Sequence, residues 1–140
     1  MTQENKELLL KDLCARLPYG VKVLCLRDFN HYWYNLEMVD IGDNEVYVTT
    51  YEPYANRYAK IEELKPYLFP LSSMTEEQNK EYNRWKHEVP VCHYEYGDVV
   101  EEVELFDSPE SFEYLIENHF DYHGLIPMGL AIDATNLNIY

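Results

Sequence analysis

The sequence predicts an α+β fold: one small domain, residues 1–140, in which an antiparallel meander sheet packs with about three helices. Three observations predict it. The 140-residue chain is 46% hydrophobic and 26% charged, the size and balance of a single core that stands without disulfide or metal staples. Apolar residues recur at the helical period near both ends of the sequence. Between them lie aromatic and β-branched runs broken by residues that favour turns.

Taken in order, residues 6–17 carry an apolar stripe of Leu9, Leu10, Leu13, Cys14 and Leu17, and Pro18 followed by Gly20 ends that helix. Residues 21–26 alternate and then run apolar, as a strand with one buried face or nearly two would. A break over 28–31 follows. Residues 34–41 and 45–51 read as strands flanking Gly42-Asp43-Asn44, which tolerates the positive φ of a hairpin loop; with the first strand they form the meander. Residues 52–60, with Pro53, read as a loop or sheet edge. A short helix over 61–64 fits before Pro66 and Pro70, and Ser72-Ser73-Met74 resembles a linker.

Thr75-Glu76-Glu77-Gln78 is a capping box, opening a helix from Glu76 to about His87 whose apolar side is thin: Tyr82, Trp85 and Val89. Pro90 stops it. In residues 99–106, Glu102 and Glu104 alternate with Val103 and Leu105, the pattern of a strand with one face in water. Ser108-Pro109 supplies an N-cap and a first helical residue, and Phe112, Leu115, Ile116 and His119 give the next helix its buried stripe, with Gly124 as its cap. The apolar patch at 128–132 fits either element type.

Charge is the compositional anomaly. The chain has 26 acidic against 11 basic residues, a formal net of −15. All 11 lysines and arginines fall in residues 1–86, whereas residues 87–140 hold 12 acidic residues and no lysine or arginine. Such a field repels a polyanion, which argues against direct nucleic-acid binding. No run approaches the ~20 apolar residues of a membrane span, and the polar residues 1–5 lack the features of a signal peptide. Cys14, Cys25 and Cys92 are odd in number and widely spaced, as reduced thiols would be; the expectation is a soluble cytoplasmic protein. Tyrosine, at 14 copies, is the second anomaly, and Tyr47, Tyr51, Tyr54 and Tyr58 read either as interface anchors or as ordinary strand residues.

Common catalytic motifs are absent. The five glycines form no phosphate cradle, no serine sits in a G-x-S-x-G elbow, and adjacent Cys92 and His93 would point apart in a strand. No cofactor is implied. The cluster His119-Phe120-Asp121-Tyr122-His123 offers two readings: imidazoles four apart on one helix face, able to hold zinc with Asp121, or histidines at a helix C-terminus where the dipole favours them. Glu110, Glu113 and Glu117 share one side of their helix, and Glu102 and Glu104 share one side of the strand before it. A solvated face explains acidity, but solvated faces usually mix signs.

Three stretches, Lys6-Glu7-Leu8-Leu9-Leu10-Lys11-Asp12-Leu13-Cys14-Ala15-Arg16-Leu17-Pro18-Tyr19-Gly20-Val21, Leu68-Phe69-Pro70-Leu71-Ser72-Ser73-Met74-Thr75-Glu76-Glu77 and His119-Phe120-Asp121-Tyr122-His123-Gly124-Leu125-Ile126, resemble a family of short uncharacterised proteins of gut anaerobic bacteria and their phages and prophages. The resemblance lies in these separate stretches, spread over the length of the chain; it implies one domain and a phage or prophage origin, and carries no activity. Its pattern places an arginine where this chain has His123, which counts against a strict two-histidine metal site.

The expectation is therefore a non-enzymatic interaction module presenting Glu102, Glu104, Glu110, Glu113 and Glu117 to a basic protein partner, either by docking on a basic patch or by imitating a phosphate backbone. The alternatives are a small metal-binding protein or enzyme centred on His119, Asp121 and His123, and a structural protein that oligomerises through its tyrosines.

Overall fold

The computed structural model describes residues 1–26, 33–40, 45–49 and 57–140; of residues 45–49, 57 and 58 only the backbone is described. The α+β class is as expected. By compactness the chain divides into two units, one formed by Met1–Ser73 with Ile116–Tyr140, the other by Met74–Leu115.

The first unit opens with helix α1, Gln3–Arg16, which starts three residues ahead of the expected segment 6–17 because the Thr2 hydroxyl accepts from the Asn5 N–H at 3.1 Å and caps it. A 3₁₀ turn over Leu17–Tyr19 and Gly20, at φ 76°, close it. Strand β1 (Lys22–Cys25) buries Val23 and Cys25 on one side, so a single face is fully buried. It pairs antiparallel with β2 (Trp33–Asp40), which pairs with β3 (Glu45–Thr49), giving the predicted meander with a register shift between Leu36 and Met38. The hairpin residues Gly42-Asp43-Asn44, the break at 28–31, Pro53, Tyr51 and Tyr54 lie outside the described residues, as do the side chains of Tyr47 and Tyr58.

Strand β4 (Arg57–Lys60) is the edge of the meander. After a 3₁₀ turn over Ile61–Glu63 comes β5 (Leu64–Leu68), a strand where two prolines argue for a break. Pro66 is tolerated because β5 has a ladder neighbour on its far side only at Tyr67 and Leu68, where β8 (Ile132–Asp133) pairs with it in parallel. The sheet order is thus β4-β3-β2-β1-β5-β8. Leu9 and Leu13 of α1, Val21, Val23, Ile61, Leu64, Leu68 and Leu125 are fully buried and form its core. The 128–132 patch is mostly turn: Leu130 and Ala131 are buried, and only Ile132 enters a strand.

The second unit starts with α2, Glu76–Arg84, and both bonds of the predicted capping box are made: Gln78 N–H to Thr75 Oγ1 at 3.1 Å and Thr75 N–H to Gln78 Oε1 at 2.9 Å. No residue of α2 is buried. The helix ends at Arg84, earlier than expected, because His87–Glu95 is strand β6, paired along its whole length with β7 (Asp98–Phe106). Tyr96 (φ 51°) and Gly97 (φ 86°) form the two-residue turn between them, whose handedness matches the strand twist. Helix α3, Pro109–Glu117, begins at Ser108, whose hydroxyl accepts from the Ser111 N–H at 3.0 Å while the Ser111 hydroxyl accepts from the Ser108 N–H at 2.7 Å. Phe112 is half-buried and Leu115 is fully buried; Ile116, also fully buried, already belongs to the first unit.

Candidate functional site

The five carboxylates singled out from sequence lie on the β6–β7 ribbon and on α3. Of the 18 strand residues in the ribbon only Val91 and Val100 are even half-buried; the rest are exposed on both faces. This corrects the expectation that Val103 and Leu105 turn into a core: they are 63% and 44% exposed. Cross-strand partners share a face, so the register places Glu102 and Glu104 on one side with Glu95, Asp98, His87 and His93. The other side carries Pro90, Cys92, Tyr94, Val99, Val103 and Leu105, with Glu88 and Glu101. Cys92 and His93 therefore lie on opposite faces.

Glu110, Glu113 and Glu117 are all exposed on α3, so each of the five carboxylates singled out from sequence reaches water. Eleven of the twelve acidic residues of 87–140 are exposed; the exception is Asp121. Among the described residues, cations of the first 86 positions are engaged with acids of their own segment, including Lys6 with Glu62, Arg16 with Asp12, Lys80 with Glu76 and Arg84 with Glu81. The ribbon itself, residues 87–106, holds six carboxylates and no lysine or arginine.

The histidine cluster has a different geometry from the one its spacing implied. Helix α3 ends at Glu117, and His119 lies beyond it with φ 65°, taking the left-handed position expected of Gly124. The two imidazoles are therefore not stacked on a helix face. The His119 ring lies on Tyr140, centroids 3.7 Å apart, and its Nδ1 is buried with no hydrogen-bond partner among the described residues. Burial, aided by the Arg16 and Lys22 charges, pushes the His119 pKa down to about 4, so the ring is neutral and is no partner for the helix dipole at pH 7. Asp121 accepts the Leu125 N–H at 2.8 Å and the Ile126 N–H at 2.9 Å, so both its oxygens organise the loop.

His123 Nδ1 meets Asp12 Oδ2 at 2.8 Å. Asp12 is wholly buried and pairs with Arg16, also wholly buried, through Nε at 2.5 Å and Nη2 at 3.1 Å; Nη2 also donates to the Phe120 carbonyl at 2.7 Å. Burial alone would raise the Asp12 pKa, but the hydrogen bonds and charges of His123 and Arg16 outweigh it and hold the carboxyl below its ordinary value. The structure thus sends His119, Asp121 and His123 to three separate partners, and among the described residues no three histidine, cysteine, aspartate or glutamate side chains are grouped so as to hold a metal ion. Sequence reasoning missed the Asp12–Arg16–His123 network. Its signal was present as an aspartate and an arginine at helical i, i+4 spacing on the side of α1 that also carries Leu9 and Leu13.

A third feature is the seat of Tyr140. Its hydroxyl accepts from the Lys22 N–H at 2.9 Å and donates to the Tyr67 carbonyl at 2.8 Å, while Lys22 Nζ donates to the Ile139 carbonyl at 2.5 Å. This ties residues 139 and 140 to β1 and β5. Among the described residues no helix is long and apolar enough to cross a membrane. Compared with protein-family models, with curated proteins and with solved structures, the chain matches none.

Proposed function

We propose that this protein is a protein-interaction module whose β6–β7 ribbon and α3 present an acidic surface to a basic protein partner. The observation that carries this reading is the ribbon: nine paired residues on each strand, exposed on both faces, with six carboxylates and no lysine or arginine. Monomeric surfaces normally intersperse the two signs, and a one-sign field raises the encounter rate with an opposite one. Exposed Tyr94, Val99 and Val103, 82%, 59% and 63% accessible, supply apolar area beside the charges, as interface cores do. Modulation of a host protein, the role that goes with a phage or prophage origin, is one form this activity takes.

The test compares the intact chain with a variant carrying Gln at Glu102, Glu104, Glu110, Glu113 and Glu117, each used to recover partners from extract of the native host at about 50 and 500 mM salt, where the Debye length falls from more than ~10 Å to a few ångströms. Loss of the same basic partner in the variant and at high salt supports the reading. A partner retained by the variant at both salt concentrations refutes it.

A further inference from the structure

Resting on that reading, we propose that the outer edge of β7 accepts an extended basic segment of the partner protein as a third strand. Its lysine or arginine side chains stand beside Glu102 and Glu104, and its alternate, apolar side chains stand beside Val103 and Leu105.

The ladder determines which main-chain groups of β7 are open. The two-residue turn at Tyr96-Gly97 makes Glu95 and Asp98 a hydrogen-bonded pair, and such pairs then alternate along the ribbon. Val99, Glu101, Val103 and Leu105 fall in the intervening pairs, so their N–H and C=O groups face away from β6. No other described strand pairs with β7. The opposite edge is different. Pro90 pairs with Val103, in an intervening pair, so the one residue that cannot donate sits in the outward row of β6. Natural sheets blunt an edge in this way, and here only one of the two edges is blunted.

The side chains then choose the occupant. Over residues 102–105 one face of β7 offers Glu102 and Glu104 and the other Val103 and Leu105, with Glu101 just before them on that second face, so an added strand is matched there when it alternates cationic and apolar residues. Opposing side chains on neighbouring strands approach to ~4.5–5.5 Å between Cβ atoms, close enough for charge pairs to form. A second copy pairing through its own β7 would set four further carboxylates against Asp98, Glu101, Glu102 and Glu104, and like charges across a ladder are destabilising. A two-stranded ribbon in water is marginal, and a third strand adds a row of main-chain hydrogen bonds to it.

The test uses the full chain and three synthetic nine-residue peptides of identical charge. One alternates Lys and Val; one has the same composition with five Lys followed by four Val; one is the alternating peptide N-methylated at every Val, which removes the amides that would face β7. Binding is followed by fluorescence anisotropy at 50 mM salt, and amide exchange by NMR. The expected result is that the alternating peptide binds at least tenfold more tightly than the other two and slows exchange at Val99, Glu101, Val103 and Leu105, and that Val103→Pro removes the advantage. Should that variant fail to fold, the N-methylated peptide probes the same main-chain hydrogen bonds from the other side. Equal binding of all three peptides overturns strand addition and leaves the acidic-surface reading standing. Absence of binding by any of them overturns both. Slowed exchange at those amides that grows with protein concentration in the absence of peptide overturns the proposal in favour of a second copy at the edge.

Discussion

Replacing Asp12 by alanine tests whether the buried ion pair organises the first unit. In the folded chain the Arg16 guanidinium has no access to water, is compensated by the Asp12 carboxylate through two hydrogen bonds, and has the Phe120 carbonyl as its other partner. Removing the carboxylate leaves a buried cation held by one carbonyl and takes the Nδ1 partner from His123. Breaking a buried pair in this way costs about 3–5 kcal/mol. Against a total stability of ~5–15 kcal/mol, that is a third or more of the whole for most of the range, and at ~2–4 °C per kcal/mol for a chain of this size it lowers the melting temperature by roughly 6–20 °C. Urea unfolding followed by circular dichroism reads the loss, and amide exchange at Leu9 and Leu13 localises it to the unit that holds the pair. The double replacement Asp12→Leu with Arg16→Met removes both charges at similar volume and recovers most of the stability. A loss below about 1 kcal/mol in Asp12→Ala, or a double variant no better than the single, refutes the assignment.

The pH dependence carries a second expectation. His119 takes up its proton near pH 4 when folded and near 6.5 when unfolded, so the unfolded chain binds more protons in that window and stability falls as pH drops from about 6.5 to 4; His119→Phe, which keeps a ring against Tyr140, flattens that slope in denaturation curves, and an unchanged slope counts against the assignment. The Asp12 carboxyl, depressed when folded, acts lower, its stabilisation being lost only as pH falls below its unfolded value of about 3.9. Gly97→Ala leaves the turn sterically open but forces alanine to φ 86°, a cost of about 1–2 kcal/mol borne by a ribbon with no core of its own; weakened nuclear Overhauser contacts between Tyr94 and Val99 report it, and unaltered contacts refute it. Cys92, exposed on β6, is alkylated by iodoacetamide in the native protein, whereas Cys25, 1% exposed, reacts only after denaturation; mass spectrometry of the labelled peptides decides, and equal labelling contradicts the burial pattern.

What the sequence disclosed was local. The cap at Thr75, the Ser108-Pro109 start and the stripe of α1 are each set by residues within one or two turns, and each is found in the structure. The β6 strand was missed because Pro90 reads as a helix stop, and the hairpin turn because Tyr96 is an unusual residue at positive φ, where Asn or Asp gives the familiar signal. β5 hid behind Pro66, whose tolerance depends on where a strand some 65 residues later happens to pair. Alternation in β7 correctly put Glu102 and Glu104 on one side; it could not reveal that nothing is buried on the other. The helix expected to carry both His119 and His123 ends early because His119 itself adopts the left-handed turn, a choice supported by its stacking on Tyr140 from the far end of the sequence.

The pairing of β8 with β5 has a consequence for synthesis on the ribosome. The first 73 residues leave the exit tunnel without the strand and the buried leucine and alanine residues that complete their sheet, whereas residues 74–115 form contacts close in sequence and are released whole in the meantime. A chain emerging from its N-terminus therefore leaves the β5 edge of the sheet unpaired until residues 132–133 have been made, a contact of high sequence separation on which residues 74–115 do not depend.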